Sequence, residues 1–230
     1  MTALRERHRV DKMPVYNLPR NVALKSFLCD LVARGAREAY GIGAPGPYDT
    51  EREKHIRMRL QRELQRIEQM GLIPYVLLVW DLVQYAGSKN IELGPGKRQL
   101  AGSAVAYTLG ITVRDPIENE QPYESLLHGG SGIPPAFTLQ VDDEGRRLLT
   151  EYAGWRYGWR HVGWVRGSGY VDLVIADVPL DELVEVTKTE RGEQTLELSD
   201  QDLAAAGLLK IRLERALVAS ESTFSTDVEF

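Results

Sequence analysis

Apolar residues fall into two kinds of period along the chain. From about Val22 to Tyr40 they recur at helical spacing, and the segment Gly41 to Pro47, rich in Gly and Pro, stops that helix. Thr50 is placed as an N-cap, since its hydroxyl can accept an orphan backbone N–H of the next helix. Ile56, Leu60, Leu64 and Ile67 then mark one face of that helix, which Gly71 ends. After Pro74, Tyr75 to Ala86 predicts a third helix, and Leu100 to Leu109, with small residues Ala101, Gly102, Ala104 and Ala106, a tightly packed fourth. Residues 112–132 show little period and read as loop.

Beyond Pro135 the period shifts. Residues 136–141 alternate strictly and place Phe137, Leu139 and Val141 on one face of a strand. Arg146 to Tyr157 reads as a helix, His161 to Val165 as a short strand, and Tyr170 to Ala176 as a strand with Val171, Leu173 and Ile175 on one side. A hairpin around Arg191-Gly192 leads into Thr195 to Leu198. Ser199 caps a short helix, and Leu209, Ile211 and Leu213 alternate with Lys210, Arg212 and Glu214. Helices first and strands later predict an α+β fold, a mainly antiparallel sheet covered by helices on one face. Residues 1–20 read as an arm, residues 21–220 as one domain with a helical part (21–112) and a sheet part (133–215), and residues 221–230 as a tail or a docking peptide.

Composition narrows the function classes. With 230 residues, 43% hydrophobic and 27% charged, the chain suits one sizeable globular unit. One cysteine, Cys29, excludes a disulfide framework, and the scattered His8, His55, His128 and His161 argue against a structural zinc site. No apolar run approaches the roughly 20 residues of a membrane span, and the start of the chain lacks a signal-peptide core. A cytoplasmic protein without membrane contact is expected.

The net charge of −5 conceals a split. Residues 1–70 carry 14 Lys and Arg against 9 Asp and Glu, whereas residues 71–230 carry 14 against 24. A nucleic-acid surface is therefore expected only in the first part, where Arg52, Arg59, Arg62 and Arg66 lie off the apolar stripe. The plainer reading of these arginines is a solvated helix side.

Several stretches, taken together, resemble the palm of the bacterial replicative polymerases of the C family, the DNA polymerase III alpha subunits. The strongest runs from Arg62-Glu-Leu-Gln-Arg-Ile-Glu-Gln-Met-Gly71 through Gly94-Pro-Gly96 to Ala101-Gly-Ser-Ala-Val-Ala-Tyr-Thr-Leu-Gly-Ile-Thr112. Collinear matches follow at Ile133 to Gly158, Tyr170 to Ala176 and Ala206 to Lys210. The resemblance implies a nucleotidyltransferase palm similar to polymerase beta. Against that family the thumb is missing between His161 and Val171, and the fingers have no counterpart.

The resemblance also implies chemistry that these residues do not carry. The family holds two divalent metals on an Asp-x-Asp strand and a third Asp from a neighbouring strand. The matching positions here are Thr138, Gln140 and Arg212, so no catalytic residue, metal or cofactor is expected. Two neutral side chains and a guanidinium are poor company for Mg²⁺, which asks for anionic oxygens. Where the family has Gly-Ser in its triphosphate loop stand Arg98 and Gln99 after Lys97, whose side chains crowd an approach that glycine permits.

Lys97, Arg98, Lys210 and Arg212 remain candidates for binding an anion without chemistry, and the plainer reading of Lys97 and Arg98 is a solvated turn. Asp142, Asp143 and Glu144 are the candidates for a displaced metal site, although a carboxylate-rich first helical turn is favoured by the helix dipole alone. Trp155, Tyr157, Trp159, Trp164 and Arg166 form the candidate interface, since Trp, Tyr and Arg carry interface energy; Trp155 and Trp164 read equally as core.

The expected function is a non-catalytic pseudo-polymerase palm serving as an interaction or scaffold subunit in DNA replication or repair, with a protein partner or self-association and no small-molecule substrate. The alternatives are a DNA-binding accessory protein and a nucleotidyltransferase with relocated ligands.

Overall fold

In a computed structural model of the chain, residues 23–94, 102–121, 137–190 and 193–215 are described. The predicted arm (1–20) and tail (221–230) lie outside them. Three long helices come first: α1 (Leu24–Tyr40), α2 (Glu51–Gln69) and α3 (Ile73–Ser88). Thr50 caps α2 in a reciprocal box with Glu53, each side chain taking the other residue's backbone N–H. Gly71, at φ 68°, turns the chain so that α3 leaves α2 at 113°. No single helix among the described residues is long and apolar enough to cross a membrane.

The predicted helix at 100–109 is shorter than its pattern, α4 (Ala104–Thr108). Gly102 and Ser103 are not helical, because Ser103 is the N-cap and accepts the N–H of Ala106 at 3.0 Å. The carboxylate of Glu63, fully buried on α2, takes the N–H groups of Ala104 and Val105 and the hydroxyl of Ser103. Four otherwise unsatisfied donors are settled this way, which fixes where the helix starts.

Among the described residues six strands form one sheet: β1 (Phe137–Val141), β2 (Val162–Gly167), β3 (Tyr170–Ile175), β4 (Thr187–Lys188), β5 (Gln194–Thr195) and β6 (Lys210–Arg215), in the order β1-β6-β3-β2-β5-β4. Helix α5 (Asp143–Tyr157) crosses from β1 to β2, with β6 and β3 between them, and α6 (Asp200–Ala205) precedes β6. The sheet is mixed, with antiparallel pairing in the majority: β1–β6 and β2–β5 are parallel, and the other three pairings antiparallel. Where the thumb of the resembled family is expected, β2 and β3 meet in a tight turn at Ser168 and Gly169, the latter at φ 80°.

Alternation puts Phe137, Leu139, Ile211, Leu213, Leu173 and Trp164 against the helices, in the core formed with α1 to α5. Tyr75 of α3 pins two strands at once: its hydroxyl donates to the Lys210 carbonyl and accepts the N–H of Phe137 at 3.0 Å. The opposite face is not bare, contrary to the one-sided expectation. Val174 and Ala176 pack there with Leu180, Leu196, Leu203 and Leu208 in a second, smaller core.

Candidate functional site

The strand register gathers the residues of interest on that second face. Thr138 of β1 lies opposite Arg212 of β6, which lies opposite Asp172 of β3, and Gln140 lies opposite Glu214. All these side chains share a face because partners across a ladder point the same way. The structure thus brings Thr138, Gln140 and Arg212 together, and adds a residue the sequence reading missed.

Asp172 is 2% exposed and is the hub of the site. The guanidinium of Arg212 donates to both its oxygens, Nε at 2.7 Å and Nη2 at 2.8 Å, the bidentate fork of strong charge-assisted pairs. Lys210 Nζ donates to Asp172 at 2.7 Å and to Asp200 of α6 at 2.6 Å. The other side of Arg212 stacks over the Tyr170 ring at 3.8 Å. These bonds, Asp172 first, hold the Arg212 pKa above its ordinary value. Gly94, where the Gly-Pro-Gly segment begins, donates its N–H to the Gln140 carbonyl at 2.8 Å. A Cβ at Gly94 would lie 2.7 Å from the Gln140 side chain, so the close approach requires glycine.

The donor set does not suit a pair of divalent cations. Thr138 and Gln140 offer neutral oxygens, Arg212 brings a fixed positive charge, and Asp172 already accepts three charge-assisted bonds. Nor do the carboxylates after β1 stand in for them. Asp142 is the N-cap of α5 and accepts the Gly145 N–H at 2.6 Å. Asp143 pairs with Arg146 and Arg215, and Glu144 with Arg147. Among the described residues no group of three or more His, Cys, Asp or Glu side chains could hold a metal ion.

The other expected sites divide. Lys97 and Arg98 lie outside the described residues. Lys210 and Arg212, expected to attract an external anion, instead spend their charge on Asp172 and Asp200. Of the arginines on α2, Arg59 turns inward: it pairs with Glu63 at 2.6 Å and donates to the Gly102 and Gln121 carbonyls. Arg52 pairs with Glu118 at 3.4 Å, while Arg62 and Arg66 are exposed.

The aromatic cluster divides too. Trp164 is 3% exposed and belongs to the core, and Tyr157 donates its hydroxyl to Asp81 of α3 at 2.6 Å. Trp155 is 76% exposed, Trp159 38%, and Arg166 is exposed. Beside Trp155 lies Tyr152, whose ring stacks on Tyr85 at 3.8 Å. Trp155, on the outer face of α5, is thus the most exposed aromatic of the cluster.

An α+β domain, with a polar, internally neutralised sheet face set against a helix-packed core, is therefore the class that fold and site define. The chain belongs to the bacterial DNA polymerase III alpha NTPase domain family, whose model matches residues 26–172. The match covers β1, α5 and β2 and reaches Asp172; Arg212 lies beyond it. The chain is 39% identical over 140 residues to the "Error-prone DNA polymerase" of Anaeromyxobacter sp. (strain K), covering 61% of this chain and 12% of that protein. It is 32% identical over 151 residues to the "DNA polymerase III subunit alpha" of Bacillus subtilis (strain 168), covering 66% and 13%. To the protein of that name from Treponema pallidum (strain Nichols) it is 30% identical over 185 residues, covering 76% and 15%. The chain therefore spans only a small part of the length of these relatives.

Proposed function

We propose that this chain is a palm-like domain, of the polymerase-beta-like nucleotidyltransferase kind, that performs no nucleotidyl transfer and serves as an interaction or scaffold module in DNA replication or repair. One observation carries the reading: Arg212, which the sequence resemblance aligns with a metal-binding carboxylate, is clamped on Asp172 by two hydrogen bonds while Thr138 lies beside it. Two-metal phosphoryl transfer stabilises an entering and a leaving oxygen with cations held by carboxylates. Here the buried carboxylate of Asp172 is saturated by protein cations, and Thr138 and Gln140 are neutral. The capping and pairing of Asp142, Asp143 and Glu144 support the same reading against relocated ligands.

The exposed Trp155 supports the interaction role, because a tryptophan with most of its surface in water is an uncompensated apolar area. The test is primed-template extension with Mg²⁺ or Mn²⁺, run beside affinity capture from the native host with the Trp155→Ala variant as control. No incorporation and a partner lost on Trp155→Ala are expected. Template-directed incorporation abolished by Asp142→Ala and Asp143→Ala would overturn the reading.

A further inference from the structure

Helix α5 carries a second apolar stripe besides the one that faces the core. Leu148, Tyr152 and Trp155 stand at i, i+4 and i+7, so they share one side of the helix. Leu149 and Ala153 are buried in the core, whereas Trp155 lies mostly in water and the half-buried Leu148 belongs to neither core. Tyr85 of α3 widens the stripe, its ring stacked on Tyr152 with centroids 3.8 Å apart and planes 10° from parallel. The Tyr152 hydroxyl donates to Asp81 at 2.9 Å, so this surface is held in place before any partner arrives.

The two flanks of the stripe differ in charge. On the α3 side stands Lys89, one turn beyond Tyr85, exposed and without an ion pair among the described residues. Arg156 on the same side is paired with the buried Asp81. On the other side Glu144 and Glu151 share one guanidinium, that of Arg147, at 2.6 and 2.7 Å, which leaves a negative charge in excess. Helices α3 and α5 run in opposite directions: Asp81 bonds Tyr157, Tyr85 stacks on Tyr152, and Ile91 reaches Gly145. Lys89 therefore comes level with Leu148, between the heights of Glu144 and Glu151.

A copy of the same surface complements these flanks. When two helices lie side by side in the same direction about a two-fold axis, each left flank meets the other's right flank, as in a parallel coiled coil. Lys89 of each chain then faces the carboxylates of the other, and Leu148, Tyr152 and Trp155 cover their own counterparts. Stacked nucleic-acid bases are the less suitable occupant, because Glu144 and Glu151 beside Trp155 repel a phosphate backbone.

We propose that this stripe is a self-association surface, on which two copies of the chain pair through parallel α5 helices with Lys89 against Glu151. The pairing rests on the interaction role of Trp155 and gives it a specific partner. An interface of this width falls at or below about 1,200 Å², the size of a transient pair.

Sedimentation equilibrium of the full chain from ~5 to ~500 µM tests it, a range that spans transient affinities. The average mass should rise from one chain to two. Trp155→Ala should weaken pairing at least ~10-fold, as loss of a central aromatic does. Lys89→Glu and Glu151→Lys should each weaken it, since each sets like charges face to face. An equal mixture of those two variants should regain the parent's affinity, because the mixed pair joins opposite charges at both contacts. A single chain at every concentration, or pairing indifferent to Trp155→Ala, would overturn the proposal. So would charge variants that pair as tightly as the parent, or a mixture that pairs no better than its components. A single chain that still captures a host protein through Trp155 overturns the self-pairing and leaves the interaction role standing. A pair that extends a primed template does the reverse.

Discussion

Arg212 and Asp172 face each other across the β6–β3 ladder, and the guanidinium of the one closes on both oxygens of the other at 2.7 and 2.8 Å. A carboxylate 2% exposed is costly to bury without such partners. The pair therefore both neutralises the second face of the sheet and fastens its central strands.

Removing one member should cost more than removing both. Arg212→Met leaves Asp172 buried with Lys210 alone, and a loss of about 3 kcal/mol is expected, at the lower edge of single deletions from buried pairs. Asp172→Leu should cost a similar amount, since Arg212 and Lys210 lose their shared acceptor. The double variant should lie within about 1 kcal/mol of the parent, because an apolar pair of similar volume replaces two desolvated charges. Urea unfolding of the four proteins measures the coupling. Additive losses would show that water, rather than the pair, satisfies these groups.

The tryptophans should separate cleanly in the same assay. Trp164 is 3% exposed, with its ring edge-on to Trp159 at 6.3 Å, and Trp164→Ala should cost about 3–5 kcal/mol. Trp155 is 76% exposed, and Trp155→Ala should change stability by less than about 0.5 kcal/mol. Loss of partner capture in the Trp155 variant, at unchanged stability, isolates a surface role.

That division marks the limit of what local pattern can tell. Thr50 with Glu53 and Ser199 with Asp202 were readable as helix starts because a cap is settled within four residues. Strands β1 and β6 were readable because alternation of Phe137, Leu139 and Val141, or of Ile211 and Leu213, names the buried face. Nothing local distinguishes Trp155 from Trp164. The inward turn of Arg59 depends on the Gly102 and Gln121 carbonyls, 43 and 62 residues away. Asp172 looked like one more residue of a strand until β6 brought Lys210 and Arg212 beside it. The second apolar core is illegible in the sequence for a related reason: Leu180, Leu196, Leu203 and Leu208 come from short segments too brief to show a period.

A close contact between helices supplies a further test. A Cβ on Gly35 of α1 would lie 1.7 Å from the Thr108 carbonyl oxygen of α4, and backbone cannot step aside as a side chain would. Gly35→Ala gains helix propensity of about 1 kcal/mol, yet overpacking of about 3 kcal/mol should dominate. A net loss near 2 kcal/mol is expected in thermal or urea unfolding. The neighbouring Gly43, with nothing within 4 Å of its Cβ position, is the control, and Gly43→Ala should be close to neutral.

The tyrosines set the response to alkali. Burial, then the charge of Asp81 and a hydrogen bond to it, push the Tyr152 hydroxyl up to about 12. Burial dominates in raising Tyr75, whose hydroxyl sits between the ends of β1 and β6, and Tyr40, which bonds Asp115 at 2.9 Å, is raised for the same first reason. A phenol with a higher pKa in the folded chain keeps its proton there after the unfolded chain has lost it. The stability these groups contribute is therefore complete below the ordinary tyrosine value of ~10 and falls as pH rises from there through about 12. Unfolding followed between pH 8 and 12 should show stability level at first and then declining. Tyr152→Phe and Tyr75→Phe should start lower at pH 8, each having lost a buried hydrogen bond, but decline less steeply above pH 10. A parent whose stability rises with alkali, or a Phe variant with the parent's slope, would contradict the assignment.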